Sequence, residues 1–203
     1  MKREQQMVAE FMYSAGQSVR YTPLESPPQS LVERRFSWMF EEVTETYKSQ
    51  NLTGIADGLG DIIYVALGAG LELGTQPFPQ FVTLTGLLRK IEQTMRVKGH
   101  EINFIPQTTR SVNRCDNYIQ RLIRGVSRFA YFNRTDVLTT SLEHIIDTCC
   151  EFSLYLGIPL PDVFDEIHSS NMTKFIDGFV GEDGKWNKGP SYRPPNLDPI
   201  IYK

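Results

Sequence analysis

The stretch WMFEEVTE (38–45) puts three carboxylates, Glu41, Glu42 and Glu45, within five residues. At about 100° per residue of helix they share one side with Trp38, opposite an apolar stripe of Phe36, Phe40, Val43 and Tyr47. Further on, Asp57 and Asp61 stand one helical turn apart, and Tyr64, Gly68 and Glu72 continue their side. A connection of about six residues makes the two helices antiparallel neighbours, so five carboxylates can converge. Converging carboxylates repel and hold their protons harder unless a cation neutralises them. An all-oxygen set without His or Cys selects a hard cation, Mg²⁺ or Mn²⁺. Such an ion on phosphate oxygens, with a carboxylate orienting water, equips a site for phosphoanhydride hydrolysis. The competing reading is a glutamate-rich helix face that is merely solvated.

Cationic groups are as unevenly placed. Residues 89–134 hold ten Lys/Arg against three Asp/Glu, leaving eleven against twenty-one elsewhere, within a formal net charge of −3. On one helix Arg110, Arg114, Arg121, Arg124 and Arg128 fall within an arc of roughly 80°. Guanidinium groups take phosphate oxygens bidentately, so a polyphosphate held between this stripe and the metal has both ends of its charge answered. Salt bridges to acidic helices and a nucleic-acid contact face are the alternatives. A third set lies in FDEIHSSNMTKF (164–175) and the glycine- and proline-rich stretch after it, where Asn171, Lys174, Lys185 and Lys188 can all donate to phosphate. His168 reads as a surface or packing histidine.

The elements that position these groups are helices. The expected spans are 3 to about 15, Leu31 to about Lys48, about Ile55 to Leu73, a segment of Leu84, Leu87, Leu88, Ile91 and Met95 ending near Gly99, about 108–131, about 137–156, and 160–173. The stripe of the 108–131 segment comprises Ile119, Leu122, Ile123, Val126 and Phe129 or Ala130. Gly74 and Gly157 follow two of the helices as terminators should. Period-two alternation is nowhere sustained, so the fold class expected is all-α. With 203 residues, 40% hydrophobic and 22% charged, the chain is long enough for one domain or two small ones and has an ordinary globular composition, not a disordered or collagen-like one. The mild net charge excludes binding driven by overall basicity. Three cysteines at 115, 149 and 150 without a CxxC pair imply no disulfide framework or zinc ribbon and a reducing, cytoplasmic setting. No signal-like apolar start is present, and the longest apolar run, IIYVALGAGL, reads as too short to span a bilayer.

LGDIIYVALGAGLELG (59–74) and LEHIIDTCCEFSLYLG (142–157) align at an offset of 83 residues, with Ile-Ile and the closing Gly in register. Either the central part is a degenerate second copy of the first helix pair, or two Leu/Ile-rich helices ending in Gly look alike by chance.

Three blocks resemble the all-α nucleoside triphosphate pyrophosphatase superfamily, in its MazG and phosphoribosyl-ATP pyrophosphohydrolase-like branch: VAEFMYSAGQSVRYTP; ERRFSWMFEEVTET with GIADGLGDIIYVALGAGLELG; and IPLPDVFDEIHSSNMTKF through EDGKWNKGPSYRPPNL. The resemblance covers 5–75 and 158–197 and implies a helical bundle in one domain: catalytic helices over 1–75, an insertion over 76–157, and a phosphate-binding helix and tail over 158–203. It implies that Glu42, Glu45 and Asp61 are metal ligands and that Glu41 is their usual neighbour. It departs from the pattern three residues before Asp61, where Gly58 stands and the acid lies one residue earlier, at Asp57. Asn171 and Lys174 match residues that face the nucleotide phosphates in relatives, with Lys185, Lys188 and Tyr192 as companions. Relatives lack the inserted residues, so Arg121, Arg124 and Arg128 have no family support. In relatives a neighbouring subunit completes the site, which implies a homo-oligomer, dimer or tetramer, or an insertion that plays that part within one chain.

The function expected is therefore a Mg²⁺- or Mn²⁺-dependent hydrolase converting a nucleoside triphosphate, deoxynucleotides included, to the monophosphate and pyrophosphate. Glu42, Glu45, Asp57 and Asp61 hold metal, Glu41 or Glu45 positions water, and Trp38 either stacks on the base or is an ordinary half-buried aromatic. Membranes and nucleic acid are not expected partners. The alternative is a catalytically silent nucleotide-binding or interaction protein of the same fold. A ferritin-like di-iron bundle requires ExxH motifs, which neither His144 nor His168 supplies.

Overall fold

The computed structural model describes residues 3–75, 77, 83–99, 109–182 and 184–202, with the backbone alone over 109–114. Among the described residues, eight helices and one short hairpin follow in chain order: α1 (Arg3–Ser14), α2 (Gln29–Lys48), α3 (Leu52–Leu73), α4 (Leu84–Val97), α5 (Thr109–Tyr131), α6 (Thr135–Leu156), α7 (Leu160–Met172), a 3-10 turn (Thr173–Phe175), β1 (Phe179–Val180), β2 (Trp186–Asn187) and α8 (Asp198–Ile201). The all-α expectation holds apart from the two-residue strands, paired antiparallel with Phe179 opposite Asn187. Arg110 and Arg114 of the sequence reading lie outside the residues whose side chains are described.

Helix α3 is the axis of the molecule, packed against α1, α2, α6 and α7. By length and composition it could cross a membrane, contrary to the short-run reading, but 72% of its apolar window is buried inside the protein, as befits a core helix. It begins three residues earlier than periodicity indicates, because the Asn51 side chain accepts the Gly54 N–H at 2.7 Å and caps the first turn.

Helices α5 and α6 pack on each other and against α2 and α3 respectively. α3 and α6 have 22 residues each, start and stop 83 residues apart, and end at glycines of positive φ, Gly74 (74°) and Gly157 (71°). Leu59, Ile62 and Ile63 are fully buried, and so are their counterparts Leu142, Ile145 and Ile146. The two pairs thus share helix bounds and core, whereas Asp57 and Asp61 of the first correspond to Thr140 and His144 of the second.

The face that α2 buries differs from the expected one. Leu31, Val32, Arg35, Trp38, Met39, Glu42, Val43 and Thr46 point inward, while Phe40 and Tyr47 are 43% and 64% exposed. Phe36, half-buried against the core, stacks on Phe40, ring centroids 5.7 Å apart. Periodicity locates an apolar stripe, but the inner side of α2 is set by α3 and by a polar cavity, which take Trp38 and Glu42 instead. Ile123 on α5 is likewise exposed at 39%.

Candidate active site

A cavity of about 640 Å³ lies between α1, α2, α3, α7 and the segment after α7. Glu41, Glu42 and Glu45 from α2 and Asp57 and Asp61 from α3 line one end of it, together with Asn171, Lys174, Lys185, Lys188 and Tyr192. Trp38 lines the middle, buried, with the Arg34 and Arg35 guanidiniums 5.6 and 4.8 Å from its ring centroid. The sequence thus named the acidic residues, the tail donors and Trp38, and the fold brings all of them to one cavity.

The close crossing of α2 and α3 explains the displaced acid. A Cβ on Gly58 would come within 2.1 Å of Thr46 Oγ1, an oxygen that donates to the Glu42 carbonyl at 2.7 Å. No carboxylate fits at 58, so Asp57, on the cavity side, is the acid available to this turn.

Electrostatics set the character of the acidic end. Burial raises the pKa of Glu42, and Glu45 and Glu41 add to it, against the opposing Lys185. Asp61 is pushed well above the usual carboxylate range by burial, then by Glu42 and Asp57, with Lys174 and Lys188 opposing. Asp57 is raised by burial and by Glu45, against Lys188 and Lys174, and its Oδ1 is buried without a hydrogen bond. Lys185 Nζ donates to Glu41 Oε2 at 2.7 Å and to Glu42 Oε1 at 3.3 Å. Among the described residues no three His, Cys, Asp or Glu side chains stand together as a finished ligand set for one ion. The carboxylates share a cavity and one another's fields, with an ammonium bridging two of them.

The lysines are held by a scaffold of their own. Trp186 Nε1 donates to the Lys174 carbonyl at 2.9 Å and its ring lies 4.9 Å from that of Phe175. Ser170 Oγ donates to the Arg193 carbonyl at 2.7 Å and lies 3.0 Å from the Tyr192 hydroxyl, tying α7 to the returning chain. The Lys174 and Lys188 ammoniums sit 5.8 and 4.7 Å from the Tyr192 ring centroid. Burial lowers the pKa of Lys174 while Asp61 opposes the shift, so these opposite charges depend on each other.

Residues 8–86 match the phosphoribosyl-ATP pyrophosphohydrolase family. That family is part of the MazG-like all-α nucleoside triphosphate pyrophosphatases. Over that segment the chain is similar to this superfamily. Comparison with curated proteins and with solved structures gave no match. The matched segment contains the whole acidic end of the cavity, from Glu41 to Asp61, and excludes α5, α6, α7 and the lysines.

One expectation is corrected. Arg121, Arg124 and Arg128 do not line the cavity. Arg121 Nη1 donates to Glu151 Oε2 on α6 at 2.5 Å, and Arg124 and Arg128 face outward. They lie on α5, outside the cavity, and the cations facing the carboxylates are the lysines instead. Glu72, on the expected acidic side, is buried and bridges Arg34 and Arg35 at 2.6 and 2.8 Å. His168 packs on Tyr64, its Nδ1 2.9 Å from the hydroxyl, consistent with a packing histidine. The opposite end of the cavity, with Gln17 and Arg35, was not foreseen. Arg35 sits one turn before Trp38 on the same helix face, a signal open to inspection, whereas Gln17 is in a loop and has no periodicity to betray it.

Proposed function

We propose that the protein is a divalent-metal-dependent pyrophosphohydrolase that converts a nucleoside or deoxynucleoside triphosphate to its monophosphate and pyrophosphate. The observation that carries this reading is the confrontation, within one cavity, of Glu42, Asp57 and Asp61 with Lys174, Lys185 and Lys188. Buried carboxylates that raise one another's pKa are a lasting cost in the absence of a ligand, and a cation together with a polyanion removes that cost for both sets of charges.

Glu42, Glu45, Asp57 and Asp61 are the residues that would hold Mg²⁺ or Mn²⁺. The donors are all oxygen, and Asp57 Oδ1, buried without a partner, is an acceptor a hard cation satisfies. Such an ion, when bound, polarises phosphate oxygens and lowers the pKa of water. Glu41 and Glu45, both exposed on the rim, are placed to accept a proton from the attacking water. As water oxygen bonds to phosphorus, the bond to the bridging oxygen breaks and pyrophosphate leaves with the electron pair. Lys174, Lys188 and the buried Asn171 donate to the oxygens on which that charge collects. Trp38 offers an aromatic wall to the nucleoside.

The α5–α6 pair, in this reading, supplies within one chain the packing that a neighbouring subunit supplies in relatives. The free thiols, Cys149 and Cys150 buried and Cys115 half-buried, fit a reducing, cytoplasmic setting.

A second reading, a catalytically silent nucleotide-binding protein, draws on the Lys185 bridge to Glu41 and Glu42, which neutralises the acidic helix without any metal. A panel of canonical and non-canonical triphosphates with Mg²⁺ or Mn²⁺, scored for monophosphate and pyrophosphate, decides between them. Metal-dependent pyrophosphate release is the expected result; nucleotide binding without release selects the silent protein.

A further inference from the structure

Building on the reading of the cavity as a nucleoside triphosphate site, we propose that its end opposite the carboxylates, formed by Gln17, Arg35 and Gly68, selects the nucleobase by a carbonyl at the purine 6 or pyrimidine 4 position. Bases with an amino group there are rejected.

The two ends are spaced for a nucleoside. Glu42 and Arg35 are seven residues apart on α2, and Asp61 and Gly68 seven apart on α3. At helical rise each separation is about 10 Å, the reach of a nucleotide from its phosphates to its base edge. Between the ends the walls are Trp38, Phe11, Tyr64 and Met12, surfaces suited to a flat aromatic ring.

The polar groups at the far end are donors. Arg35, with a side chain 4% exposed, gives its Nε–H to Glu72 Oε2 at 2.8 Å and an Nη2–H to Gln17 Oε1 at 3.3 Å. The other oxygen of Glu72 takes Arg34 Nη2 at 2.6 Å. One carboxylate therefore serves two guanidiniums, both its oxygens are engaged, and the local balance is positive. Guanidinium has no acceptor. With the Gln17 oxygen turned to Arg35, the amide NH₂ is the part of Gln17 left for the cavity it lines. Gly68 permits this arrangement, since a Cβ there would stand 3.0 Å from Arg35 Nη1 and 3.6 Å from Met12 Sδ.

A donor-rich, water-poor end discriminates sharply. A 6-oxo purine or 4-oxo pyrimidine receives the N–H groups, while a 6-amino or 4-amino group meets like donors and loses its hydrogen bonds to water. Sites that hydrogen-bond one substrate group reject the analogue lacking it far more strongly than apolar pockets do.

Two minimal pairs test this in the wild-type protein: deoxyinosine against deoxyadenosine triphosphate, and deoxyuridine against deoxycytidine triphosphate. The oxo member of each pair should show a kcat/KM at least about tenfold higher, with Kd values of the α,β-imido analogues ordered the same way. In Gln17→Leu the ratio should fall to within about threefold, folding being checked by circular dichroism. A merely structural Gln17 would weaken both members alike and keep the wild-type ratio, which overturns its role as reader. Equal handling of both members by the wild type overturns the edge selection and leaves the pyrophosphohydrolase reading standing. Failure to bind or cleave any of the four overturns both.

Discussion

Lys185 Nζ stands 2.7 Å from Glu41 Oε2, so the turn of the β1–β2 hairpin delivers an ammonium directly onto the helix that carries the paired carboxylates. Glu42 and Glu41 together hold the Lys185 pKa up against burial, which would lower it. The cavity thus contains its own counter-ion, in competition with any metal for the same oxygens. Lys185→Gln should raise the affinity for Mn²⁺ alone, measured calorimetrically without nucleotide, by about fivefold, the equivalent of roughly 1 kcal/mol for a half-exposed pair. An unchanged or weakened affinity would show that Lys185 does not compete.

Asp61 illustrates the conflict between stability and activity. Enclosure and the neighbouring Glu42 and Asp57 work against its charge. Asp61→Asn should abolish pyrophosphate release while raising the Tm of the metal-free protein, by about 2–4 °C for each kcal/mol of repulsion removed. Glu45→Gln should also abolish release, with the fold retained. Wild-type turnover in Glu45→Gln would remove Glu45 from the mechanism.

The same shifts set a pH dependence. The folded-state pKa values of Glu42, Asp57 and Asp61 all lie above those of ordinary exposed carboxyls, raised first by burial. Between those values and the raised ones, the folded protein binds more protons than the unfolded chain, so its stability falls as pH rises through that window. Urea midpoints of the metal-free protein should therefore decrease from mildly acidic toward neutral pH. Apparent Mg²⁺ affinity should climb over the same range, because the ligands must shed their protons.

Gly58 and Thr46 are matched in size. Gly58→Ala brings a Cβ to within 2.1 Å of Thr46 Oγ1 and should destabilise by about 1–3 kcal/mol in urea unfolding. Thr46→Ala in the same chain should recover part of that loss, a coupling that independent sites would not show.

The two sets of cations differ in their consequences. Lys174→Ala should reduce kcat/KM for a triphosphate by more than about tenfold, as removal of a charged donor from the reacting phosphates does. Arg124→Ala and Arg128→Ala, on an outer face of α5, should leave it within about twofold, as surface substitutions away from a site do.

Much of this was legible in the chain alone because helices impose local geometry. The spacing of Glu41, Glu42 and Glu45, and of Asp57 and Asp61, fixes which side of α2 and α3 each occupies, and a short connection forces the two helices together. The glycine stops at 74 and 157 and the shared Ile-Ile core followed from the same local rules. The carboxylate pattern and the SNMTK and DGK segments were sufficient to name the acidic residues and the lysines.

Only the tertiary structure decided which faces look inward and which charges meet. Periodicity marks Phe36, Phe40 and Tyr47 as an apolar stripe, yet the direction in which α2 turns depends on what α3 and the cavity take from it, and they take Trp38 and Glu42. The arginine stripe of α5 and the lysines after α7 are equally plausible partners for phosphate in one dimension. Their distances from Asp61 are properties of chain return, set by Ser170, Trp186 and the hairpin, and local sequence carries no record of that path. Gln17 and Arg35 meet for the same reason: a loop residue and a helix residue become one polar surface only when α1, α2 and Gly68 of α3 close on one another.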